Sequence, residues 1–291
     1  MTVEAAAATP VQVGAEITDL RPAGTYLAVT LAAPEVASRA LPGQFVALAV
    51  GGPETPMLLR RSFAIASTRA GALGIVFSVA GKGTAWLAER RAGDVVDVVG
   101  PLGRPFPLPD GPVAATLVGG GYGTAPLFPL ADALVAAGSD VHFVVGAGTG
   151  DRLYGLAEAE ARGPLAVTTD DGSAGVRGRV SDVLPDVLAR SGSRVVYACG
   201  PMGMLRAVTE VAAGRALPAY VAVEESMACG IGVCMTCVLP VVGDDGRTRM
   251  LRSCVEGPVF AGERVRFDAV GTVPPDAVGA PVVRGSAGGG H

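Results

Sequence analysis

The sequence predicts a multidomain protein of the β plus α/β class, with an all-β unit first, a parallel α/β unit next and a small cysteine-rich segment last. Short runs of β-branched and aromatic residues fill the first third of the chain, and strand-like and helix-like runs alternate in the middle. Four of the five cysteines lie between positions 229 and 254. A length of 291 residues leaves room for two or three small domains.

The composition is that of a folded protein and argues against several classes of function. Hydrophobic residues make up 49% of the chain and charged residues 17%, which permits a sizeable core. The net charge is -4 and no basic patch is present, so we expect no nucleic-acid partner. No apolar run reaches about 18 residues and no signal-peptide pattern is present, so we expect a cytoplasmic protein without a membrane span.

Residues 10–112 form the predicted all-β unit. Its strand-like runs are bounded by Gly or Pro, and strands at such short spacing predict a small barrel or a sandwich. The runs are VQVGAEITDL, TYLAVTLAA, GQFVALAV, RRSFAIAST, LGIVFSVAG and DVVDVVGPLG. A helix is predicted over 83–92, closed by Gly93.

Residues 113–218 alternate between strand and helix. The run VAATLVGG predicts a buried strand, and a glycine-rich turn and a helical stretch follow it. Three more strand–helix pairs begin at VHFVVGAG, LAVTTDD and RVVYACGP. Such alternation predicts a parallel sheet covered by helices on both faces.

Residues 219–270 form the cysteine-rich segment. It ends in ERVRFDAV, near 263–270, which reads as a strand. The last stretch, 271–291, has low complexity and no periodicity, and we expect a flexible tail there.

The cysteines follow the pattern C-x4-C-x2-C-x16-C, formed by Cys229, Cys234, Cys237 and Cys254. Three ligands on one loop and a fourth from farther along match the plant-type spacing for a 2Fe-2S cluster. Structural zinc, which usually takes ligands in closely spaced pairs, is the alternative, and buried free thiols are another. Gly230 and Gly232 would let the loop wrap closely around the cluster.

The turn LVGGGYGTAP, at 117–126, follows a strand and opens a helix. Gly119, Gly120, Gly121 and Gly123 would let the backbone approach a pyrophosphate at the helix N-terminus. A plain tight loop is the alternative.

Two further strand ends carry candidate residues. Cys199, in YACGPMGML, ends a strand where ligands sit in open α/β sheets, close to a nicotinamide ring or simply buried. Asp170 and Asp171 end another strand, and a carboxylate there accepts ribose hydroxyls and repels a 2′-phosphate, which favours NAD over NADP. An Asp-Gly turn is the alternative for these aspartates.

The run LLRRSFAIAS places Arg60 and Arg61 at the head of an apolar strand. An arginine there suits a pyrophosphate, and Phe63, two residues beyond Arg61, would project to the same face and pack against a cofactor ring. Gly81, Gly83 and Thr84 precede a helix and form another anion site. A solvated arginine on an edge strand is the alternative. The chain has only two histidines, so we expect cofactors to carry its chemistry.

In this order, the motifs resemble the ferredoxin-reductase superfamily and, more closely, the electron-transfer subunits of NAD-dependent dihydroorotate dehydrogenases. The resemblance spans about residues 10 to 270. The segments that carry it are RRSFAIAS, GKGTAWL, GDVVDVVGPLGRPF, LVGGGYGTAP, TDDGS, CGPMGML, ESMACGIGVCMTCVLP and RSCVEGPVF. It implies a flavin-binding barrel, a nicotinamide-binding parallel α/β sheet and a C-terminal 2Fe-2S segment.

The resemblance also implies which residues bind each cofactor. The FAD residues would be Arg61, Ser62, Phe63, Ala64, Val76, Phe77, Ser78, Gly83 and Thr84. The NAD residues would be Gly119, Gly120, Gly121, Gly123, Thr124, Asp170, Cys199, Gly200 and Pro201. Cys229, Cys234, Cys237 and Cys254 would hold the cluster. Ala64 departs from the family, in which a serine or threonine is usual, so the resemblance does not supply that hydroxyl contact to FAD, and Ser62 or a backbone donor would have to compensate.

The implied partner is an FMN subunit that oxidises dihydroorotate, in a heterotetramer. Electrons would pass through 2Fe-2S and FAD to NAD, in pyrimidine biosynthesis. One alternative is a flavin and iron–sulfur NAD(P)H reductase that serves a hydrogenase, a transhydrogenase or an oxygenase. Another is a zinc-stabilised binding protein that has lost its cofactors.

Overall fold

The computed structural model describes residues 9–52 and 57–280. The first unit is a closed barrel of six strands in the order β1-β2-β5-β4-β3-β6. These strands are β1 (Val11–Ala23), β2 (Tyr26–Ala32), β3 (Phe45–Leu48), β4 (Arg61–Ser67), β5 (Ala72–Phe77) and β6 (Val95–Leu102). The interior is filled by branched side chains, among them Ile17, Leu31, Leu48, Leu73 and Ile75. The predicted barrel is therefore confirmed, with a packed core rather than a channel.

Two short helices accompany the barrel, α1 (Pro34–Ala37) and α2 (Lys82–Ala88). The expected helix over 83–92 is wrong at its C-terminal end. After Ala88 the chain tightens into i→i−3 bonds, from Arg90 N to Leu87 O, and Gly93 N then donates to Ile17 O of β1. Docking of this segment onto the barrel wall ends the helix early.

The second unit is a seven-stranded sheet in the order β10-β9-β8-β7-β11-β12-β15. Its strands are β7 (Ala114–Gly120), β8 (Asp140–Ala147), β9 (Leu165–Thr169), β10 (Val176–Arg177), β11 (Val195–Cys199), β12 (Ala219–Ala222) and β15 (Val259–Ala261). All neighbours pair in parallel except β12 and β15. The strand order reverses between β7 and β11, where Gly119 pairs with Cys199, and ligands bind at such a point.

Helices cover both faces of this sheet, as the alternating pattern predicts. They are α3 (Leu127–Ala136), α4 (Leu156–Glu160), α5 (Val180–Ser191) and α6 (Met202–Ala213). Along β7, Leu117 packs with Leu127 and Leu130 of α3, whereas Val118 packs with Leu184 of α5. Neighbouring residues of one strand thus enter different cores, as expected for a strand buried on both faces.

The cysteine-rich segment contains a hairpin of β13 (Val238–Val242) and β14 (Thr248–Arg252). The strand expected over 263–270 is wrong. Two 3-10 turns occupy Gly262–Arg264 and Phe267–Ala269, with a single bridge from Val265 to Val241. The edge position beside β12 is already taken by β15, so the later apolar residues pack on the hairpin without forming a ladder.

Residues 271–280, the first ten of the expected flexible tail, make contacts with the hairpin. Val278 N donates to Thr248 O over 2.8 Å, and Asp276 accepts hydrogen bonds from Thr248 and Arg266. These contacts tie 271–280 to β14, while the rest of the expected tail lies outside the described residues. In the described ranges, no helix has the length and apolarity that a membrane crossing requires.

Candidate functional site

A cavity of about 310 Å³ lies between the barrel and the parallel sheet. It is lined by every predicted FAD residue except Gly83, and also by residues from the sheet, so one cavity joins the two units. The barrel residues are Arg61, Ser62, Phe63, Ala64, Val76, Phe77, Ser78 and Thr84. Gly83 lies behind this wall, where an added Cβ would be 2.8 Å from Arg61 Nε. Gly83 therefore serves by letting the Arg61 side chain pack over the start of α2.

Strand β4 presents a polar face to the cavity and an apolar face to the barrel. Phe63 and Ile65 are buried, and the Phe63 ring meets Phe77 edge-on with centroids 5.7 Å apart. Ser62 and Ala64 alternate with them and lie on the other face. Phe63 is buried and lines the cavity with only a small exposed part, and its contact with a cofactor ring stays a prediction.

Ala64 is exposed in this cavity and brings no hydroxyl group. Ser62 and Ser78 supply hydroxyls to the same wall. Position 64 thus offers no hydroxyl on a wall where positions 62 and 78 each carry one.

A second cavity, of about 510 Å³, opens at the carboxyl edge of the parallel sheet. Of the predicted NAD residues it is lined by Gly120, Gly121, Asp170 and Pro201. Gly120 and Pro201 also line the first cavity, so the two cavities adjoin at the point where the strand order reverses. The remaining predicted NAD residues are divided: Gly123, Cys199 and Gly200 line the first cavity.

Gly119 and Thr124 support the glycine-rich turn without lining either cavity. Thr124 is fully buried and its hydroxyl donates to Gly121 O over 2.9 Å. An added Cβ at Gly123 would lie 2.7 Å from Cys199 O, so only glycine lets the two turns approach this closely. The glycines are therefore needed for packing as well as for access to a ligand.

The two adjacent aspartates have different environments. Asp171 accepts hydrogen bonds from the Ser173 amide and hydroxyl, at 2.9 and 2.6 Å, and these bonds hold the pKa of its carboxyl below the usual range. Asp170 lines the second cavity, where Arg152, Arg179 and Ser181 also lie. Asp171 thus lies in the turn, Asp170 lies in the cavity wall, and ribose binding by Asp170 stays a prediction.

Tyr122 and Glu224 lie where the cavities meet, and sequence reasoning missed both. Tyr122 lines both cavities, and its hydroxyl donates to the Glu224 carboxylate over 3.3 Å. Burial and the Glu224 charge raise the pKa of Tyr122 to about 12, and the same two causes raise the pKa of Cys199 to about 12. Cys199 is therefore a protonated thiol at neutral pH, which suits packing rather than nucleophilic chemistry.

The four clustered cysteines fall into two neighbouring pairs. Cys229 lies beside the exposed Cys234, and Cys237 lies beside Cys254, both of them buried. The Val233 N–H donates to Cys229 Sγ over 3.3 Å. The Thr236 hydroxyl donates to Cys234 Sγ over 3.1 Å. Two neighbouring pairs of thiols, the first with a hydrogen-bond donor to each sulfur, match what an iron–sulfur cluster needs.

The arrangement of the pairs fits a cluster with two metal ions. Gly230 and Gly232 take left-handed backbone angles, with φ of 72° and 84°, which bend the loop between the first two cysteines. Across residues 9–52 and 57–280, no three His, Cys, Asp or Glu side chains converge on one point for a single ion. Four cysteines on one bent loop and its neighbouring segment are a donor set that would suit a 2Fe-2S cluster.

Comparison with known protein families identifies two of the three units. Residues 224–266 match the iron-sulfur cluster binding domain of dihydroorotate dehydrogenase B. Residues 117–210 match the oxidoreductase NAD-binding domain. These matches cover the cysteine segment and most of the parallel sheet.

Similar structures share the architecture of most of the chain. The NADH-dependent reduced ferredoxin-NADP oxidoreductase studied for flavin-based electron bifurcation superimposes with a TM-score of 0.76 at 34% identity, over 88% of this chain and 91% of that one. The ferredoxin reductase in carbazole 1,9a-dioxygenase shares the fold, with a TM-score of 0.62 at 21% identity over 73% of this chain and 68% of its own.

Curated relatives cover most of the chain. A dihydroorotate dehydrogenase B (NAD(+)) electron transfer subunit from Geobacillus thermodenitrificans (strain NG80-2) is 43% identical over 242 residues, 81% of this chain and 91% of the relative. The subunit of the same name from Bacillus caldolyticus is 45% identical over 230 residues, 77% of this chain and 86% of the relative. The chain therefore belongs to the family of dihydroorotate dehydrogenase B (NAD(+)) electron transfer subunits.

Proposed function

We propose that the chain passes electrons from an FMN-containing dihydroorotate dehydrogenase subunit through 2Fe-2S and FAD to NAD, in pyrimidine biosynthesis. The observation that carries this proposal is the continuity of three sites. An added Cβ at Gly230 of the cysteine loop would lie 3.6 Å from Ser62 Oγ, a residue of the first cavity. The first cavity in turn adjoins the second, so a short route joins the cysteines to the carboxyl edge of the sheet.

The redox chemistry belongs to the bound groups: 2Fe-2S exchanges single electrons, and FAD joins that exchange to the two-electron chemistry of nicotinamide. The protein binds and orients these groups and excludes water. Among the described residues, His142 pairs with Thr116 inside the sheet and lines neither cavity, so it does not act there as an acid or base.

For FAD, we propose that Arg61 and the start of α2 receive the pyrophosphate. Arg61 lies against Gly83, and Thr84 lines the same cavity. Ser62 on β4 and Ser78, the residue after the adjoining strand β5, each offer a hydroxyl to this cavity. The narrow gap between the barrel and the sheet would shield the ring from water.

For NAD, we propose that the turn around Gly120 and Gly121 receives the pyrophosphate and that Asp170 accepts the ribose hydroxyls. Pro201 and Gly200 lie where the nicotinamide must approach the first cavity. Cys199 and Tyr122 would limit the space around the nicotinamide, because both line that junction.

For the cluster, we propose Cys229, Cys234, Cys237 and Cys254 as the ligands. The loop that carries them exposes apolar side chains: Ile231 is 55%, Val233 76% and Met235 51% exposed. A large exposed apolar surface next to a redox site favours a docking surface, and we assign it to the FMN subunit. A short path for the electron between subunits would follow.

The division into units is part of the proposal: 10–112 binds FAD, 113–218 binds NAD and 219–270 holds the cluster. We also propose a heterotetramer with the FMN subunit and a cytoplasmic location. A reducing compartment would keep the five free cysteines of the chain as thiols for cluster assembly.

The test is anaerobic co-purification with the FMN subunit, followed by identification of the cofactors. We expect FAD and 2Fe-2S on this chain and reduction of NAD by dihydroorotate. A preparation without flavin or iron–sulfur absorption would overturn the electron-transfer role.

A second candidate is a reduced ferredoxin-NADP oxidoreductase subunit, which the 34% identity to such an enzyme favours. Assaying the purified complex with reduced ferredoxin and with dihydroorotate separates the two. Turnover with ferredoxin alone would select the second candidate.

A further inference from the structure

Arg252 connects the cysteine loop to the segment that carries the fourth cysteine. It is the last residue of β14, two positions before Cys254. Its Nη1 donates to Gly232 O over 2.9 Å, between Cys229 and Cys234. One side chain thus reaches from the Cys254 side to the middle of the loop that holds the first two cysteines.

Glu256 holds the Arg252 guanidinium in place. Arg252 Nε and Nη2 donate to the two carboxylate oxygens over 3.1 and 2.5 Å. The Arg252 backbone N–H donates to the same carboxylate over 2.7 Å. A guanidinium that is fixed by two bonds on one side and a carbonyl on the other has little freedom to move away.

The contact with the loop is close enough to depend on a glycine. Gly232 has a φ of 84°, and an added Cβ would lie 3.2 Å from Arg252 Nη1 and 2.5 Å from a Val255 methyl. The guanidinium therefore packs directly against the loop backbone.

The position of the charge matters because both side chains are partly buried. The Arg252 side chain is 33% exposed and that of Glu256 is 27% exposed, so solvent screens their charges only in part. Cluster reduction adds a negative charge, which a nearby cation favours and a nearby anion opposes, and net charge and hydrogen bonding set iron–sulfur potentials.

We propose that Arg252 is a positioning residue that fixes the cysteine loop and raises the reduction potential of the cluster, and that Glu256 anchors it and offsets part of its charge. The inference rests on the proposed assignment of 2Fe-2S to the four cysteines. It gives each member of the ion pair an effect of opposite sign on one measurable quantity.

The test is a redox titration of the complete complex, in which the electron paramagnetic resonance signal of the reduced cluster is monitored. We expect Arg252→Met to lower and Glu256→Gln to raise the reduction equilibrium constant, each roughly threefold to tenfold, where tenfold is about 59 mV for one electron. Arg252→Lys keeps the charge and should remain closer to wild type than Arg252→Met.

Arg249 provides a matched control. It lies on the same strand and donates to both oxygens of Asp245, over 2.6 and 2.8 Å, but it packs at Gly243, near the turn of the hairpin. Arg249→Met removes an equivalent ion pair without touching the cysteine loop. We expect an unchanged cluster potential.

Reduction equilibrium constants within twofold of the wild-type value in both Arg252→Met and Glu256→Gln would overturn the inference. If Arg252→Met cannot assemble the cluster, Glu256→Gln alone decides, since an unchanged or lowered potential contradicts the expected rise. A wild-type complex without a 2Fe-2S signal would instead overturn the proposed function, and this inference with it.

Discussion

Replacing Asp170 with serine tests how the second cavity would select its nucleotide. The charged residues of that cavity are Arg152, Asp170 and Arg179, so removing one carboxylate leaves two cations. In the proposed site, Asp170 accepts ribose hydroxyls from NADH and repels the 2′-phosphate of NADPH. Asp170→Ser should therefore lower kcat/KM for NADH and raise kcat/KM for NADPH.

The expected shift in the preference for NADH over NADPH follows from two contributions. Hydrogen bonds to a charged group contribute about 1.5 to 3 kcal/mol, so losing the carboxylate should cost NADH about tenfold. Two like charges at about 4 Å repel by roughly 1 kcal/mol in water and more near a protein surface. Because Asp170 is exposed, the low end of this repulsion energy applies. Its removal should raise kcat/KM for NADPH roughly fivefold to tenfold. The preference should shift by about fiftyfold to a hundredfold.

The assay is dye reduction driven by NADH and by NADPH, compared as kcat/KM. The control is Asp171→Ser, because the Asp171 carboxylate bonds Ser173 and does not line the cavity. A preference that moves less than threefold in Asp170→Ser, or equally in both variants, would refute the assignment of Asp170.

Three further predictions concern the other sites. Ala64→Ser adds a hydroxyl to the first cavity and should tighten FAD binding about twofold to tenfold, measured by flavin fluorescence; unchanged affinity would contradict the assigned wall. Cys234→Ser should abolish the iron–sulfur absorption while FAD and NADH-driven dye reduction remain, and loss of FAD as well would show that the two sites are not separate. Burial opposes ionisation of Asp132, but hydrogen bonds from Arg162 and Arg69 outweigh it and lower its pKa. The stability that this carboxylate contributes is present above its unfolded pKa and is lost as pH falls through its folded pKa. Asp132→Asn should therefore lower the free energy of unfolding in urea at pH 7 by less than about 1 kcal/mol. The difference from wild type should shrink toward acidic pH.

Local patterns predicted the architecture because most of its strands and helices carry their own signal in a short stretch of sequence. The apolar runs of β7 and β8, the helical stretch between them and the glycine-rich turn after β7 are each recognisable within a short stretch of the chain. The face of β4 was harder to predict, because barrel closure draws Phe63 and Ile65 inward and leaves Ser62 and Ala64 for the cavity. Arg61 reaches the same cavity from the end of the strand.

The contacts that sequence reasoning missed join distant parts of the chain. Tyr122 and Glu224 are 102 residues apart, and Arg252 reaches a carbonyl 20 residues away. The sequence around each of these residues does not indicate which distant residue its side chain contacts. The expected strand at 263–270 was wrong for a related reason: alternating apolar residues show burial, but whether a sheet edge is free depends on the rest of the fold.

The central claim is that electrons from dihydroorotate reach NAD through this chain. The most direct measurement is NADH formation from dihydroorotate and NAD by the anaerobically purified complex, with the FMN subunit alone and the complex carrying Cys234→Ser as comparisons. We predict NADH formation by the wild-type complex, and none by either comparison. Equal NADH formation in all three, or none in a wild-type complex that holds FAD, FMN and 2Fe-2S, would contradict the claim.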